Sequence, residues 1–593
     1  WNEATCTAPK TCKTCGKSEG KAAGHSWNEA TCTAPKTCKT CGKSEGKAAE
    51  HSWSEATCTA PKACKVCGKT EGSVSGHSWK DVTETTSKTC TLCGASEGTR
   101  YGYDELASAP HGAAMQSLYR KLVTACEAFA DNQKNIAQSD GMYMIAQLEF
   151  DLSAMTMEDA FAVWKVFKLD QPQYYWLSNT VNVSGNVLEL CIDAIYADGA
   201  YREKCDKALA DMVGACGEKL TAGMSQVEKA MAIHDYIIER MDYAYESDGV
   251  TPQDDAWAHN LLGCAEKKLG VCEAYAKTYQ YLCRYNGLEC ILVTGETREE
   301  HAWNLVKVDG KWYGVDCTFD DTGSDGLCYL NFGMSAAKMN EGYTVDTPVG
   351  VGADYLYKLP QLAPYSIGLV DLYKNGNLVG RYLSVDDAFA AMTDSKGEYA
   401  VQLFDYGSNG PMLMSTPAVE YHIVSTKTPR VKSLTIRGLH IDMGNGYYTR
   451  LGLWVDSDLV LQSNLTVTDL AVYGEGSVDL KKYKLSCLGN SVDVHVPITG
   501  SLDPNTPSQL HMGVKMSSEF YDTVQVHTLS QSDDYTGGML FRKDTTIIKA
   551  KVGSVTIYDT STEGVSVKIQ EFCPPADETY TGIVIEGPAK VKV

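Results

Sequence analysis

The sequence predicts a multidomain protein in three parts: small Cys/His repeats, then an α+β domain, then an all-β region. At 593 residues the chain has room for roughly three to five domains. Eleven of its 23 cysteines fall within positions 1–98. Apolar residues follow helical spacing before about residue 245 and form short strand-like runs after about residue 360. We therefore assign residues 1–100 to the repeats and residues 361–593 to the all-β region. The α+β part is divided into a helical segment, 101–245, and a core, 246–360.

The composition excludes several classes of protein. With 44% apolar and 22% charged residues, the chain is neither disordered nor collagen-like. Residues 1–100 carry 14 Lys+Arg and 10 Asp+Glu, or +4, so the remainder carries −22 − 4 = −26. Such an acidic body is a poor nucleic-acid binder. No apolar run approaches the roughly 18 residues of a membrane span, and the first residue is Trp1, so we expect any signal peptide to be missing from the sequence.

The amino-terminal part is an array of four repeats, marked by the constant spacing of Trp1, Trp27, Trp53 and Trp79. Each of the first three repeats has the pattern Cys-x5-Cys-x2-Cys-Gly and a His ten residues after the last Cys. Three thiolates and an imidazole make a tetrahedral Cys3His set that suits structural Zn²⁺. We predict about three Zn²⁺ ions, one in each of the sets Cys6, Cys12, Cys15 and His25; Cys32, Cys38, Cys41 and His51; and Cys58, Cys64, Cys67 and His77.

Two alternatives to this assignment remain open. Disulfides are possible in a secreted protein, but three cysteines per repeat would force pairing between repeats. The register is a second question, because His25 stands only seven residues before Cys32 and could serve the following repeat. The fourth repeat keeps Cys90 and Cys93 but has Glu84 and Tyr103 at the other two positions, so it is interpreted as degenerate or as a cap. The repeats resemble zinc-ribbon-like arrays of bacterial surface proteins, which implies a stalk or interaction role.

Residues 101–245 are predicted to be a mostly helical scaffold. Apolar residues recur at helical spacing in 115–129 and 157–167. A capping box, Ser225-x-x-Glu228, opens a third amphipathic stretch. None of these segments carries a chemical motif.

Cys272 is the candidate nucleophile of the central region. It lies in the segment Leu269 to Ala276, which is predicted to open a helix. Unpaired amides and the helix dipole stabilise a thiolate in the first turn of a helix. A lone cysteine at such a position is structural about as often as catalytic, so the following residues decide the interpretation.

The segment after Cys272 predicts a strand over 288–294 and then a hairpin. The runs 301–308 and 311–319 flank Asp309-Gly310, the signature of a type I′ turn. In the register that this turn sets, Trp303 faces Asp316, and His301 is the diagonal neighbour of Asp316 on the same face. A carboxylate beside an imidazole fixes its tautomer and supports its charged form.

These motifs together resemble the transglutaminase-like core family. The resemblance rests on Gly-Val-Cys-Glu-Ala-Tyr-Ala around Cys272, His-Ala-Trp-Asn from His301, and Trp-Tyr-Gly-Val-Asp-Cys-Thr-Phe-Asp-Asp around Asp316. It implies a papain-like fold in which Cys272 is the nucleophile, His301 the general base and acid, and Asp316 the residue that orients His301. It covers about 75 residues of the chain.

The implied chemistry is acyl transfer on protein or peptide amides through a thioester, with no cofactor needed for catalysis. We expect the oxyanion to be bound by the Cys272 amide and a second donor, with Trp257 and Asn260 as candidates. Hydrolysis, as in a peptidase or amidase, is slightly favoured over transamidating crosslinking.

The carboxy-terminal region reads as an all-β module without a catalytic constellation. Short strand-like runs separated by Gly, Asn, Asp and Ser turns favour a right-handed parallel β-helix, preceded by a small helix over 384–392. A β-sandwich is the competing prediction. We expect a binding or spacer module for cell-wall or host-surface protein or glycan, on a secreted or cell-surface bacterial protein. The alternative for the whole chain is a non-catalytic adhesin that uses the zinc repeats and the β-solenoid.

Overall fold

The computed structural model divides the chain into two compact units. The first comprises residues 1–310 and 345–359, and the second comprises residues 311–344 and 360–593. The boundary at residue 310 falls inside the predicted core 246–360, and the four predicted domain ranges stay sequence-based predictions.

The residues described are 1–593 except 59–61, 65–66, 68, 73–77, 81–88, 93–98, 131, 140, 222, 322, 324–326, 346–357, 405–419, 439–440, 443–447, 450, 469, 490–492, 515–517, 533–538, 553, 559–565, 574–581, 587–589 and 593.

The amino-terminal repeats form small Cys/His-rich units built on very short antiparallel strands. In successive repeats, Trp27 pairs with Cys38, Trp53 with Cys64 and Trp79 with Cys90. The strands are β1 (Lys10–Thr11), β2 (Ser18–Glu19), β3 (Trp27–Asn28), β4 (Lys36–Cys38), β5 (Ser44–Glu45), β6 (Lys62–Ala63), β7 (Thr70–Glu71), β8 (Trp79–Lys80) and β9 (Thr89–Cys90). Apart from the tryptophans, these strands bring little apolar surface, so each repeat needs a further cross-link.

Five helices follow, and they confirm the predicted helical stretches. Their bounds are α1 (Tyr101–Leu106), α2 (Gly112–Ala130), α3 (Met157–Asp170), α4 (Gly199–Lys219) and α5 (Gln226–Ile238). The capping box at Ser225 and Glu228 is present, with both reciprocal hydrogen bonds. Among the described helices, none combines the length and the apolar composition needed to cross a bilayer.

A three-stranded antiparallel sheet interrupts the helices and was not expected from the sequence. It consists of β10 (Tyr143–Glu149), β11 (Asn182–Ser184) and β12 (Val187–Ile192), in the order β10-β12-β11. β10 packs against α2 and is half-buried along most of its length. Its residues therefore do not alternate between buried and exposed positions, which is the pattern that predicts a strand from sequence.

The predicted nucleophile helix and strands lie at the carboxy-terminal end of the first unit. Two short strands, β13 (Asp242–Tyr243) and β14 (Leu269–Gly270), pair in parallel just before α6 (Cys272–Tyr285). β15 (Cys290–Glu296) then pairs antiparallel with β16 (Glu300–Val308), and Val293 faces Trp303. The Asn304 amide donates to the carbonyl oxygens of Ala276 and Ile291, which ties α6 to this strand pair.

The turn after β16 has the predicted conformation. The φ angles of Asp309 and Gly310 are +47° and +81°. A type I′ turn requires positive φ at both central residues, and this turn type joins adjacent antiparallel strands.

The second unit opens with β17 (Lys311–Val315), which pairs antiparallel with β18 (Phe332–Met334). The predicted strand over 311–319 is therefore too long. Asp316 instead caps the short helix α7 (Cys317–Asp320) by accepting hydrogen bonds from the amides of Thr318 and Phe319. Helix α8 (Ala336–Asn340) and strand β19 (Thr344–Val345), which ends across the unit boundary, complete this segment.

The rest of the second unit is a β-solenoid, which confirms the predicted β-helix over the sandwich. It begins with antiparallel strands β20 to β22 and the expected small helix, α9 (Val385–Ala390), capped by Ser384. Beyond them, strands from successive coils pair in parallel along three walls. The strands are β20 (Val370–Lys374), β21 (Asn377–Tyr382), β22 (Glu398–Leu403), β23 (Glu420–Ile423), β24 (Ser433–Arg437), β25 (Ile441–Asp442), β26 (Tyr448–Thr449), β27 (Leu451–Val455), β28 (Leu459–Val460), β29 (Leu465–Thr468), β30 (Leu470–Tyr473), β31 (Val478–Asp479), β32 (Lys484–Gly489), β33 (Asp493–Val494), β34 (Ile498–Thr499), β35 (Gln509–Val514), β36 (Ser518–Phe520), β37 (Val524–Gln531), β38 (Met539–Phe541), β39 (Thr545–Lys551), β40 (Ser554–Tyr558), β41 (Ser566–Phe572), β42 (Gly582–Glu586) and β43 (Lys590–Lys592).

One wall of the solenoid carries a stack of half-buried rings, one from each successive coil. Ring centroids lie 6.0 Å apart for His422 and Trp454, 4.9 Å for Trp454 and Tyr473, 4.3 Å for Tyr473 and His495, and 4.0 Å for His495 and Tyr521. Parallel strands about 4.8 Å apart bring equivalent side chains into such contact. The stack therefore adds aromatic contacts to the apolar interior of the coils.

Candidate active site and metal-ligand clusters

Cys272 is the first residue of α6, as the sequence predicts, and Val271 is its N-cap. The half-buried Cys272 side chain packs against an apolar cluster of Ala276, Leu292 and Ala302. Because Ala302 directly follows His301 in β16, this packing places the thiol beside the strand that carries the predicted base.

The backbone around Cys272 is held by close packing. The Val271 amide donates to the carbonyl of Ala258. A Cβ on Gly270 would lie 2.7 Å from both Ala274 Cβ and Met241 Cε. A side chain at position 270 therefore does not fit. Glycine at this position allows β14 to pass close to Ala274 and Met241 just before α6 begins.

Tyr243 is a residue near the nucleophile that the sequence analysis missed. The Cys272 backbone amide donates to its hydroxyl oxygen. Burial, followed by the nearby Cys272 thiol, raises the pKa of Tyr243 to about 12 against that hydrogen bond. The hydroxyl therefore keeps its proton at neutral pH and can act as a hydrogen-bond donor. The only sequence signal for this role is that Tyr243 lies in β13, which pairs with the strand leading into α6.

The two predicted oxyanion donors have other partners in the structure. Trp257 Nε1 donates to Asp255 Oδ2 at 3.0 Å. The Asn260 side chain is buried, and its amide donates to Tyr196 Oη at 2.8 Å and to the carbonyl oxygens of Tyr175 and Ala256. Asn260 thus anchors the segment before the nucleophile, and neither residue offers a spare donor in this arrangement.

A charged network fixes the first turn of α6. Glu273 lies 2.7 Å from Lys277 Nζ and 3.0 Å from His259 Nδ1, and Lys277 also donates to the His259 carbonyl. Burial alone would raise the pKa of Glu273, but Lys277, His259 and Lys168 hold it well below its usual range. Burial and the like charge of Lys277 lower the pKa of Lys168 to about 7. The network joins α6 to residues 256–259.

His301 occupies β16, opposite Gly295 of β15. It is buried, and its ring stacks on Trp303 with centroids 6.1 Å apart. Trp303 is itself fully buried, so this side of the imidazole faces an apolar ring rather than solvent.

Asp316, in the second unit, is buried and firmly oriented. Its Oδ1 accepts from the amides of Thr318 and Phe319 at 3.0 and 3.1 Å, and Tyr343 Oη donates to Oδ2 at 2.9 Å. Burial and the neighbouring Asp316 both raise the pKa of Tyr343 above its usual range, so its hydroxyl stays a donor. Tyr343 is a second residue that the sequence analysis missed.

Among the described residues of the array there are two clusters of potential metal ligands, and their membership differs from the predicted sets. One cluster joins Cys6 and His25 to Cys38 and Cys41, and the donor atoms lie within 4.8 Å of one another. The other cluster joins Cys32, His51, Cys64 and Cys67 in the same way. The sets predicted within single repeats differ from these clusters, because each cluster takes its Cys-x-x-Cys pair from the next repeat. Cys12 and Cys15 belong to neither cluster, and His77 lies outside the described residues.

The cysteines of these clusters are not joined by disulfide bonds. All described cysteines, which exclude Cys93, are unbridged. Cys6 and Cys38 Sγ lie 3.6 Å apart, and Cys41 Sγ lies 3.4 Å from His25 Nδ1. The clusters could hold metal ions.

Comparison with known proteins identifies the region around Cys272. The family model of the transglutaminase-like superfamily matches residues 214–317. The kyphoscoliosis peptidases of mouse and human are 26% and 24% identical to the chain over 108 residues. In both cases the match covers 16% of this chain and 16% of the peptidase, so the chain spans about a sixth of the length of these relatives. The crystal structure of a TGase matches 34% of the chain and 58% of its own length, at 14% identity and a TM-score of 0.19. The chain therefore contains a transglutaminase-like domain, preceded by Cys/His repeats and followed by a β-solenoid.

Proposed function

We propose that this protein is a cysteine enzyme that transfers acyl groups from protein or peptide amides through Cys272. The observation that carries the proposal is the position of Cys272 at the first residue of α6, inside the matched domain and against Ala302. The thiolate is the reactive form of cysteine, and Cys272 forms it when a general base takes the thiol proton.

His301 is proposed as the general base and acid. It accepts the thiol proton from Cys272 and returns a proton to the leaving amine, which leaves a thioester on the enzyme. Asp316 is proposed to orient the His301 ring and to stabilise its charged form. The type I′ turn at Asp309-Gly310 supports this assignment, because it is the turn of the predicted hairpin that carries His301 and leads to Asp316. The three hydrogen bonds to the Asp316 carboxylate support it as well, since they fix its orientation.

Tyr243 is proposed as the second oxyanion donor, in place of Trp257 and Asn260. Its hydroxyl interacts with the Cys272 amide, the group expected to bind the oxyanion. A substrate carbonyl oxygen that displaces this contact would receive one hydrogen bond from the amide and one from the hydroxyl.

The acceptor of the acyl group is proposed to be water, so that the enzyme hydrolyses amides. Incubation with a glutamine-containing donor peptide and a labelled primary amine tests this choice, with the Cys272→Ser variant as the control. Ammonia or peptide release without label incorporation is the expected result. Incorporation that depends on Cys272 would show crosslinking instead, and no reaction with a broad peptide panel would contradict the enzyme proposal.

The metal in the repeats is proposed to be structural Zn²⁺. A tetrahedral site with Zn–S bonds of about 2.3 Å has sulfur atoms about 3.8 Å apart. The Sγ separations of 3.6 Å in the first cluster and 3.7 Å in the second are close to that value. With four protein ligands each, such sites are closed and hold structure rather than perform catalysis. Metal analysis of the purified chain by mass spectrometry tests this assignment.

A second proposed function is surface binding by the β-solenoid, on a secreted or cell-surface bacterial protein. The second unit has a cavity of about 280 Å³ lined by Tyr313, Tyr365, Tyr421, His422 and Asp386, among other residues. Aromatic rings beside a carboxylate suit saccharides, which present apolar faces and hydroxyl donors. Titration of the unaltered protein and of the Tyr365→Ala variant with soluble cell-wall oligosaccharides tests this function. Weaker binding by the variant is the expected result, and equal binding by both proteins would contradict the proposal.

A further inference from the structure

We propose that the amino-terminal array is interlocked by metal: each ion is bound by two consecutive repeats, and a third such site is built on Cys58 and Cys90. This inference rests on the proposal that the clusters bind Zn²⁺. It goes further by assigning the register of the whole array, and it gives a role to the fourth repeat.

The two described clusters are related by a shift of one repeat along the chain. Moving Cys6, His25, Cys38 and Cys41 from each repeat to the equivalent position of the next gives Cys32, His51, Cys64 and Cys67. Their geometry repeats as well, since the Sγ atoms lie 3.6 Å apart for Cys6 and Cys38 and 3.7 Å apart for Cys32 and Cys64. In both clusters the imidazole Nδ1 lies 3.4 Å from the last cysteine.

A further shift of one repeat leads from Cys32 and Cys64 to Cys58 and Cys90, and the contact between these two thiols is present. Their Sγ atoms lie 3.7 Å apart and are buried together. Two buried thiols at this separation have the sulfur spacing of a tetrahedral metal site. They are the third such contact between neighbouring repeats, and we call each of these contacts a junction.

The backbone around Cys90 repeats that of the first junction. Trp79 pairs with Cys90 as Trp27 pairs with Cys38. The Thr91 amide donates to Ser78 O at 2.8 Å, and the Lys39 amide donates to Ser26 O at the same distance. His77 and Cys93, which lie outside the described residues, hold the remaining two equivalent positions in the sequence.

The proposed register changes the role of two cysteine pairs. The fourth repeat is not degenerate: it supplies Cys90 to the last site and needs no first Cys or His of its own. Cys12 and Cys15 of the first repeat take part in none of the three sites. Each metal is thus a cross-link between neighbouring repeats, which individually bury too little apolar surface to fold.

Zinc content of two variants of the full chain tests the register. We expect three Zn²⁺ per chain in the unaltered protein, three in the double variant Cys12→Ser/Cys15→Ser, and two in Cys90→Ser. Sites within single repeats would give the reverse: two ions in the double variant and three in Cys90→Ser. That reverse pattern would overturn the proposal.

Two further measurements keep the outcome decisive. If Cys90→Ser loosens the array and loses more than one ion, the double variant still decides, because Cys15 is exposed and Cys12 is half-buried. Co²⁺ substitution reports the thiolate ligands by their charge-transfer absorption, which should fall by about a third in Cys90→Ser and be unchanged in the double variant. An unaltered chain without bound metal would reject the Zn²⁺ proposal itself, and this result differs from an incorrect register.

Discussion

The array and the transglutaminase-like domain use the same side chain in opposite ways. In the array, two neighbouring repeats bring Cys6, Cys38, Cys41 and His25 together, and the donor atoms of these residues lie within 4.8 Å of one another. In the domain, Cys272 stands at the start of a helix, against an apolar cluster. The first arrangement gathers thiols and an imidazole that could hold a metal ion, and the second leaves one thiol beside a helix N-terminus and a strand that carries a histidine.

The difference teaches that the neighbours of a cysteine decide its chemistry more than its exposure does. Cys272 and Cys12 are both half-buried. Cys12 is followed by an exposed Cys15 within a small repeat, whereas Cys272 lies in a packed helix next to the Tyr243 hydroxyl. A thiolate that will attack an amide needs such fixed partners.

The largest expected effect comes from removing the nucleophile. Cys272→Ala should lower amide turnover roughly 10⁴- to 10⁶-fold, since it removes the thiol on which the proposed thioester forms. Steady-state kinetics measures the effect, and Cys573→Ser in the solenoid is the matched control. Equal activity of the two variants would show that Cys272 is not the nucleophile.

The next effect tests the residue proposed to orient the base. Asp316→Asn should lower kcat by roughly 10³- to 10⁴-fold, because an amide cannot support a charged imidazole as a carboxylate does. Asn keeps an oxygen for the Thr318 and Phe319 amides, so thermal unfolding should change little. A large fall in melting temperature with unchanged kcat would show that Asp316 is only a helix cap.

A smaller effect is expected at the proposed oxyanion donor. Tyr243→Phe keeps the ring but removes the hydroxyl, and kcat should fall about 10²-fold with little change in KM. The control Trp257→Phe, which removes a donor engaged with Asp255, should leave kcat within a few-fold of the original. The opposite ranking of the two variants would restore Trp257 as the donor.

The smallest expected effect on turnover comes from removing the metal. A chelator should destabilise the array, because structural Zn²⁺ supplies folding free energy that the repeats lack. Turnover of a small peptide amide should change less than two-fold, since no proposed catalytic step uses a metal. Limited proteolysis reports array unfolding and kinetics reports turnover. Parallel loss of both would show that the two regions are coupled.

Much of the fold followed from local patterns in the sequence. The capping box at Ser225, the turn at Asp309-Gly310 and the helix start at Cys272 were all predicted correctly, because each depends on neighbouring residues. The end of the strand at Val315 was missed, because the capping role of Asp316 competes with strand continuation.

The features that were missed depend on contacts between distant parts of the chain. Tyr243 reaches the Cys272 amide from a strand that precedes the whole 256–267 segment, and Tyr343 bonds Asp316 from beyond α8. The ligand grouping of the array also depends on distant contacts. A short repeat of this kind is compatible with a metal site inside one repeat or between two, and contacts such as Cys6 with Cys38 and His25 with Cys41 distinguish the two arrangements.

The most direct test of Cys272 as the nucleophile is the rate at which each thiol is alkylated in the native, metal-loaded protein. A brief treatment with iodoacetamide at neutral pH, followed by peptide mass spectrometry, gives the rate for every cysteine. We expect Cys272 to react at least about ten-fold faster than exposed Cys15 and half-buried Cys573, with amide turnover lost at the same rate. Equal rates at Cys272 and these control thiols, or full turnover after Cys272 is blocked, would contradict it.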